Sequence, residues 1–171
     1  MNYRTHIVSS LSEIGKAAWD GLLALQEEAN PFLSYAFLHA LHESGSASPE
    51  TGWQPQYIAL YDGDTLAAAL PLYVKGHSYG EYVFDWAWAD AYQRHGLDYY
   101  PKLLSAVPFT PVAGPRLLAV DADARAALSA VLVATQRATE VSSTHILFPP
   151  EAHARQLQDA GFMLRSGVRF H

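Results

Sequence analysis

The sequence predicts an α/β fold, a mixed and largely antiparallel sheet with helices on both faces, and three observations carry that prediction. Two apolar runs, Gln56 to Tyr61 and Thr65 to Val74, flank Asp62-Gly63-Asp64, a turn in which Gly tolerates the positive backbone angles of a tight hairpin. After Asp121 and Asp123, an Ala-rich stretch repeats Ala124, Leu128, Val131, Thr135 and Ala138 at helical spacing. From there the chain alternates helix with short strand, so the hairpin sheet is followed by elements able to cover it.

The elements follow in order. Tyr3 to Val8 reads as a strand, and Ser12 with Glu13 opens a helix bearing Ile14, Ala18, Leu22 and Leu25 inward until Asn30-Pro31 stops it. Ser34 caps a second helix with Phe37, Leu38 and Leu41 as its inward stripe, and SGSASPETG is a surface loop. After the hairpin, Glu81 to Ala89 reads as a central strand, Tyr82, Phe84, Trp86 and Trp88 on one face and Val83, Asp85, Ala87 and Ala89 on the other. Tyr99 to Val107 reads as a short helix entered at Tyr100-Pro101, and PFTPVAGPR, with three prolines, as irregular. Asp121 or Asp123 caps the Ala-rich helix, His145 to Phe148 is a strand, Glu151 to Ala160 a helix ended by Gly161, and Phe162 to Phe170 a last strand.

With 171 residues, half of them apolar, the chain suits one domain spanning 1–171 that needs no disulfide or metal. Eleven basic against 17 acidic residues give a net charge of -6 without any Lys/Arg cluster, which argues against nucleic acid as a partner. The lack of cysteine excludes thiolate catalysis and Cys-based zinc sites. MNYRTHIVSSLSEIG has no apolar run behind a basic end, and no stretch reaches the roughly 18 apolar residues of a membrane span. A soluble, cytoplasmic protein that does not bind membrane is the expectation.

Chemistry is sought in residues 77–116, where Glu81, Asp85 and Asp90 sit among aromatics. An unpaired buried carboxylate costs several kcal/mol, so Asp85, between Phe84 and Trp86, must have a partner or line a wet cleft. In a cleft it would orient an amine or hydroxyl acceptor, while Glu81 and Asp90, at the ends of the expected strand, could act as general base. Trp86, Trp88 and Tyr92 offer faces for a sugar ring or peptide side chain. His77 and Tyr79, with Lys75, occupy a glycine-flanked loop within reach of a ligand, and Tyr99, Tyr100, Lys102 and Arg116 supply donors for an acceptor's phosphate or carboxylate. His39 and His42 lack the order and the third ligand of a metal site, so no metal is expected. Ser9-Ser10 and Ser142-Ser143 lack the glycines of a nucleophile elbow.

The element order resembles the acyltransferase fold of the GCN5-related superfamily, the GNAT fold, an α-β-α sandwich. NPFLSYAFLHALHESGS, the GWQPQYIALYDGDTLAAALPLYVKGHSYGEYVFDWAWADAY run and YYPKLLSAVPFTPVAGPRLL closely resemble bacterial Fem-like "peptidogalycan biosynthesis" proteins of that superfamily. Such proteins continue into a second domain of similar fold, so the chain resembles the first half. The resemblance implies an N-acyl or aminoacyl transferase in which this half shapes the cleft for a cell-wall precursor and a second Fem-like domain supplies much of the donor site. Gly96 is the single glycine where acetyl-CoA's pyrophosphate would sit, and the Arg/Gln-x-x-Gly-x-Gly/Ala pattern is missing, so no cofactor is expected in this chain; an acyl-CoA or aminoacyl donor remains possible. Two alternatives stay open: a non-catalytic binding or assembly module, and a small CoA-dependent N-acetyltransferase completed as a homodimer, favoured if Val168 to Phe170 is an open edge.

Overall fold

The computed structural model describes residues 3–166. After β1 (Arg4–Val8), Ser10 accepts the Ser12 amide and Glu13 reaches back to the Ser9 and Ser10 amides, closing one 3-10 turn. Gly15, at φ 86°, separates that turn from α1 (Lys16–Ala24), so the helix expected from Ser12 comes in two pieces. Leu25, expected inward, lies just past α1 and is exposed. Ser34 caps α2 (Tyr35–Glu43) as the sequence implies, its hydroxyl accepting the Phe37 amide.

The hairpin is longer than the sequence suggests. β2 (Gln54–Pro55), β3 (Tyr57–Asp62), β4 (Thr65–Leu70) and β5 (Tyr73–Lys75) form one antiparallel ribbon turned at Gly63, with the Gln56 amide bonded to the Leu72 carbonyl at 2.7 Å. Pro71 has no amide to donate, and there the expected strand 65–74 divides. The two ends join different sheets: β6 (Lys102–Ser105) pairs with β5, and β7 (Leu118–Ala119) with β4. The orders are β1-β3-β4-β7 and, with β8 (Thr144–Ile146), β2-β5-β6-β8. Only β6 and β8 run parallel among these pairings. The mixed, largely antiparallel expectation therefore holds, in two sheets rather than one.

Two assignments are corrected. Residues 81–89 are not a central strand: 81–85 are irregular and α3 (Trp86–Arg94) follows. The aromatics that suggested a strand are interleaved with Ala87, Ala89 and Ala91, strong helix formers, and the Asp85 carbonyl accepts the first helical amides, those of Trp88 and Ala89. Residues 99–107 are not a helix either. The buried central strand is β6, flanked by β5 and β8, because tertiary pairing there outweighs the local preference of KLLS. Residues 108–116 are irregular, as their prolines require. Residues 162–166 carry no strand, and the rest of the expected strand to Phe170 lies outside the described residues.

Helices do cover both faces. Along β3, Tyr57 and Ala59 join the apolar cluster of α1 and α2, whereas Ile58 and Leu60 join that of α4 (Ala122–Ala138). All four are fully buried, and burial of each large apolar side chain contributes about 1.5–3 kcal/mol. Asp121 is the α4 cap, its carboxylate accepting the Ala124 amide at 2.8 Å. α5 (Glu151–Asp159) adds Leu157 to the same cluster.

Candidate functional site

Lys75 on β5 and Lys102 on β6 are direct cross-strand partners, and both side chains are fully buried. Two ammonium groups on one buried sheet face repel each other and have lost their water, so the site requires anions. The segment after β5 supplies them. Lys102 Nζ donates to Glu81 Oε2 at 2.8 Å and also to Asp85 Oδ2. Lys75 Nζ donates to the Tyr79 carbonyl at 3.2 Å and lies 3.8 Å from the Trp53 ring centroid. The second Glu81 oxygen is buried without a hydrogen-bond partner.

Burial dominates the electrostatics. It pushes Lys75 down to about 8, helped by Lys102 and opposed by Glu81. It raises Glu81 although Lys102 and Lys75 pull the other way. His145 on β8, whose Nδ1 is 3.8 Å from Asp85 Oδ2, is brought to about 4, first by burial and then by Lys102. Tyr99 is raised by burial and by the neighbouring Asp85. The result is two cations against two carboxylates, edged by a neutral imidazole and a neutral phenol.

This pairing decides which side chains face solvent. With Glu81 and Asp85 drawn inward, the intervening Tyr82 and Phe84 turn out, together with Tyr79, Trp86 and Trp88. Phe84 and Trp86 stack at 5.0 Å between centroids, and Trp86 is 60% exposed. Tyr82 is held at φ 58°, a left-handed conformation that costs a non-glycine residue about 1–3 kcal/mol and persists where neighbouring contacts fix it, here the two anchors on Lys102. The face is aromatic and open above a closed ionic interior.

The expected site residues therefore separate. Glu81, Asp85 and Lys102 come together, but beneath the surface. Asp90 sits on the exposed side of α3, paired with Arg94 one turn on. Tyr79, Trp86 and Trp88 are exposed, and the Arg165 guanidinium lies 4.4 Å from the Trp88 ring. Tyr92 packs edge-on to Tyr99 at 5.1 Å, and Tyr100 lies 5.8 Å from the Lys102 ammonium, so both border the cluster. His77 accepts the Tyr79 amide and packs on Gly52, where an added Cβ would come within 2.4 Å of its ring. Arg116, expected as a donor for an acceptor's phosphate or carboxylate, is fully buried and spent on the carbonyls of Leu147, Gly114 and Val112. It fixes the proline-rich segment to the end of β8.

Sequence reasoning missed Trp53 and His145. Neither has a local signal: Trp53 precedes β2 and His145 lies on β8, and each reaches the cluster only through strand pairing. Gly96 follows the C-terminal end of α3, where carbonyls and not amides are exposed, the wrong pole for a phosphate. His42 faces the Tyr57 and Tyr73 hydroxyls, and the described residues contain no group of three or more metal-ligating side chains. No described helix is long and apolar enough to cross a membrane.

A family model described as peptidoglycan biosynthesis/recognition, FemAB-like, matches residues 10–171. No curated protein and no solved structure matches the chain.

Proposed function

The chain belongs to the FemAB-like family of peptidoglycan biosynthesis/recognition, and from that membership we propose that it is the acceptor-binding half of an N-acyl or aminoacyl transferase acting on a cell-wall precursor. One observation carries the reading: Tyr79, Tyr82, Phe84, Trp86 and Trp88 stay exposed while the carboxylates between them are anchored inside by Lys102. Leaving five large aromatics in water makes sense as a binding face for sugar rings and apolar peptide side chains. The donor, an acyl-CoA or an aminoacyl carrier, and its site belong in this reading to a second Fem-like domain or a second copy of the chain. Its setting is the cytoplasm, where a chain without cysteine meets no redox constraint.

Titration with a muramoyl pentapeptide tests the proposal by tryptophan emission. Trp19 and Trp53 are fully buried, so a saturable change reports on Trp86 and Trp88. Trp86→Ala should weaken binding about tenfold, the scale of an aromatic anchor worth above 1 kcal/mol. Unchanged emission up to millimolar ligand overturns the reading. A non-catalytic recognition module is the second reading, favoured by the engagement of both Glu81 and Asp85 with Lys102, which leaves neither free as a base. The third, a small CoA-dependent N-acetyltransferase, predicts micromolar acetyl-CoA binding by calorimetry, which the first two do not.

A further inference from the structure

Arg137, in the last turn of α4, is a cation that the fold leaves uncommitted. Every other lysine and arginine among the described residues has an ion pair, a hydrogen bond or an aromatic ring beside its charge. Arg137 has none of these within the described residues, and it does not simply stand in open water. It lines an open pocket of about 350 Å³, a size that suits a small ligand. In a chain of net charge -6, the walls of this pocket carry Arg137 and no aspartate or glutamate. The local potential therefore favours an anion.

Three elements build the pocket. α5 ends in a Schellman turn: the Phe162 amide bonds the Leu157 carbonyl and the Gly161 amide the Gln158 carbonyl, with Gly161 at φ 97°. On α4, the Thr139 hydroxyl lies against the Thr135 and Gln136 carbonyls. Carbonyls that would otherwise repel an anion at two helix C-termini are thus engaged. The turn after α5 also brings Phe162 and Met163 to the pocket wall, and Met163, at 82%, is the most exposed large apolar side chain among the described residues. From β8 comes Thr144, whose hydroxyl is buried without a hydrogen-bond partner and so remains a donor in need of an acceptor. Thr144 shares its strand face with Ile146, which packs on the α4 cluster, so it points away from His145 and the ionic interior.

We propose that this pocket binds an aliphatic carboxylate, the group shared by a small free acid and by the C-terminal end of a short apolar peptide. The Arg137 guanidinium pairs with the carboxylate, the Thr144 hydroxyl supplies a second donor, and Val133, Phe162 and Met163 cover the alkyl part. A planar monoanion matches one guanidinium fork in charge and shape, whereas a phosphate dianion would keep a charge that no other cation of the pocket offsets. The ligand completes what the fold leaves open: a cation without a counter-ion, a hydroxyl without an acceptor and a methionine in water. The inference does not rest on the aromatic face or on any transfer reaction.

The chain has two methionines, Met1 and Met163, so the full chain isotope-labelled at the methionine methyls gives a direct probe of the pocket by NMR, with Met163→Leu assigning the signal. It is titrated with isobutyrate and with N-acetyl-alanyl-alanine, and in parallel with the amide of each. A saturable shift of the Met163 methyl is expected for at least one carboxylate, with a dissociation constant of about 1 mM, and for neither amide; the tighter of the two acids identifies the source of the carboxylate. Arg137→Gln, a change at an exposed position, should weaken binding at least about tenfold, and Thr144→Val about threefold. The comparison of acid with amide uses the wild-type chain alone, so it stands even if a variant fails to fold. A Met163 signal unmoved by both acids up to about 20 mM, equal shifts from acids and amides, or undiminished affinity in folded Arg137→Gln overturns the proposal. The readout is a methionine methyl and not tryptophan emission, so this reading and the muramoyl peptide reading fail separately.

Discussion

The β3–β4 hairpin and residues 79–86 are both rich in large apolar side chains, and they place them in opposite ways. In the hairpin both faces are covered, Tyr57 and Ala59 by α1 and α2, Ile58 and Leu60 by α4, and apolar residues are buried as composition predicts. In 79–86 the carboxylates are inside and Tyr79, Tyr82, Phe84 and Trp86 are outside. Lys75 and Lys102 make the difference: a buried cation with no partner costs more than the exposed surface of several aromatics, so the ion pairs win. Side-chain type alone leaves open which residues are inside. The partner across the sheet tells which of the two sets is inside.

Lys102→Ala is the strongest way to break that contrast. It leaves Glu81 and Asp85 buried beside no Lys102 cation, and a loss of about 3–5 kcal/mol in denaturant unfolding is expected. A quadruple variant, Lys75→Met and Lys102→Met with Glu81→Gln and Asp85→Asn, should recover most of the loss, because replacing a whole buried ion group by neutral residues is commonly neutral or stabilising. A loss below about 1 kcal/mol for Lys102→Ala would mean that water enters the cluster and that it resembles a surface pair. In the other region, Leu60→Ala opens a cavity with no charge involved, and about 2–5 kcal/mol is expected by the same measurement. For Leu60 a compensating polar change should give no rescue, which is what separates the two kinds of interior.

The same contrast explains what could be read from the sequence. The hairpin turn at Gly63, the Ser34 and Asp121 caps, α4 and α5 are local, set by periodicity and a few capping residues, and they appear where expected. The exchange of strand and helix between 81–89 and 99–107 has a tertiary cause, because KLLS becomes a strand only by fitting between β5 and β8. Asp85 was legible as a residue that needs a partner, but the partner, Lys102, lies 17 positions on and is met only through the sheet. Arg116 was read as a cationic donor for an acceptor's phosphate or carboxylate, yet three carbonyls satisfy it inside.

Acid should sharpen the comparison by a smaller amount. Burial holds His42, His145 and His153 at about 4, against 6.5 for a free histidine. Between pH 6.5 and 4 the unfolded chain takes up protons on these residues that the folded chain refuses. Stability therefore falls as pH drops through that window and levels off below about 4. Glu81, raised by burial, acts in the opposite sense and blunts the fall. Melting temperatures measured in half-unit steps from pH 7 to 4 should decline steadily, and His42→Phe should flatten part of the slope. A flat profile would mean that the histidines are hydrated in the folded state.

Asp90→Asn should have the smallest effect. Asp90 carries the same charge as Asp85 and lies five residues on, but it sits on the outer face of α3 with both partners of its Arg94 pair more than half exposed. Exposed pairs one helical turn apart contribute about 0.3–0.5 kcal/mol, and added salt screens them further. A denaturation midpoint within that range of wild type, approaching it as salt rises, is the expected result. Because the fold is untouched, any change this variant makes in muramoyl peptide binding would come from the surface itself, which no substitution at Asp85 can isolate. A loss above about 1 kcal/mol would show that α3 leans on its charges as the segment before it does, and the boundary between an anchored interior and a free aromatic face would then have to move past residue 90.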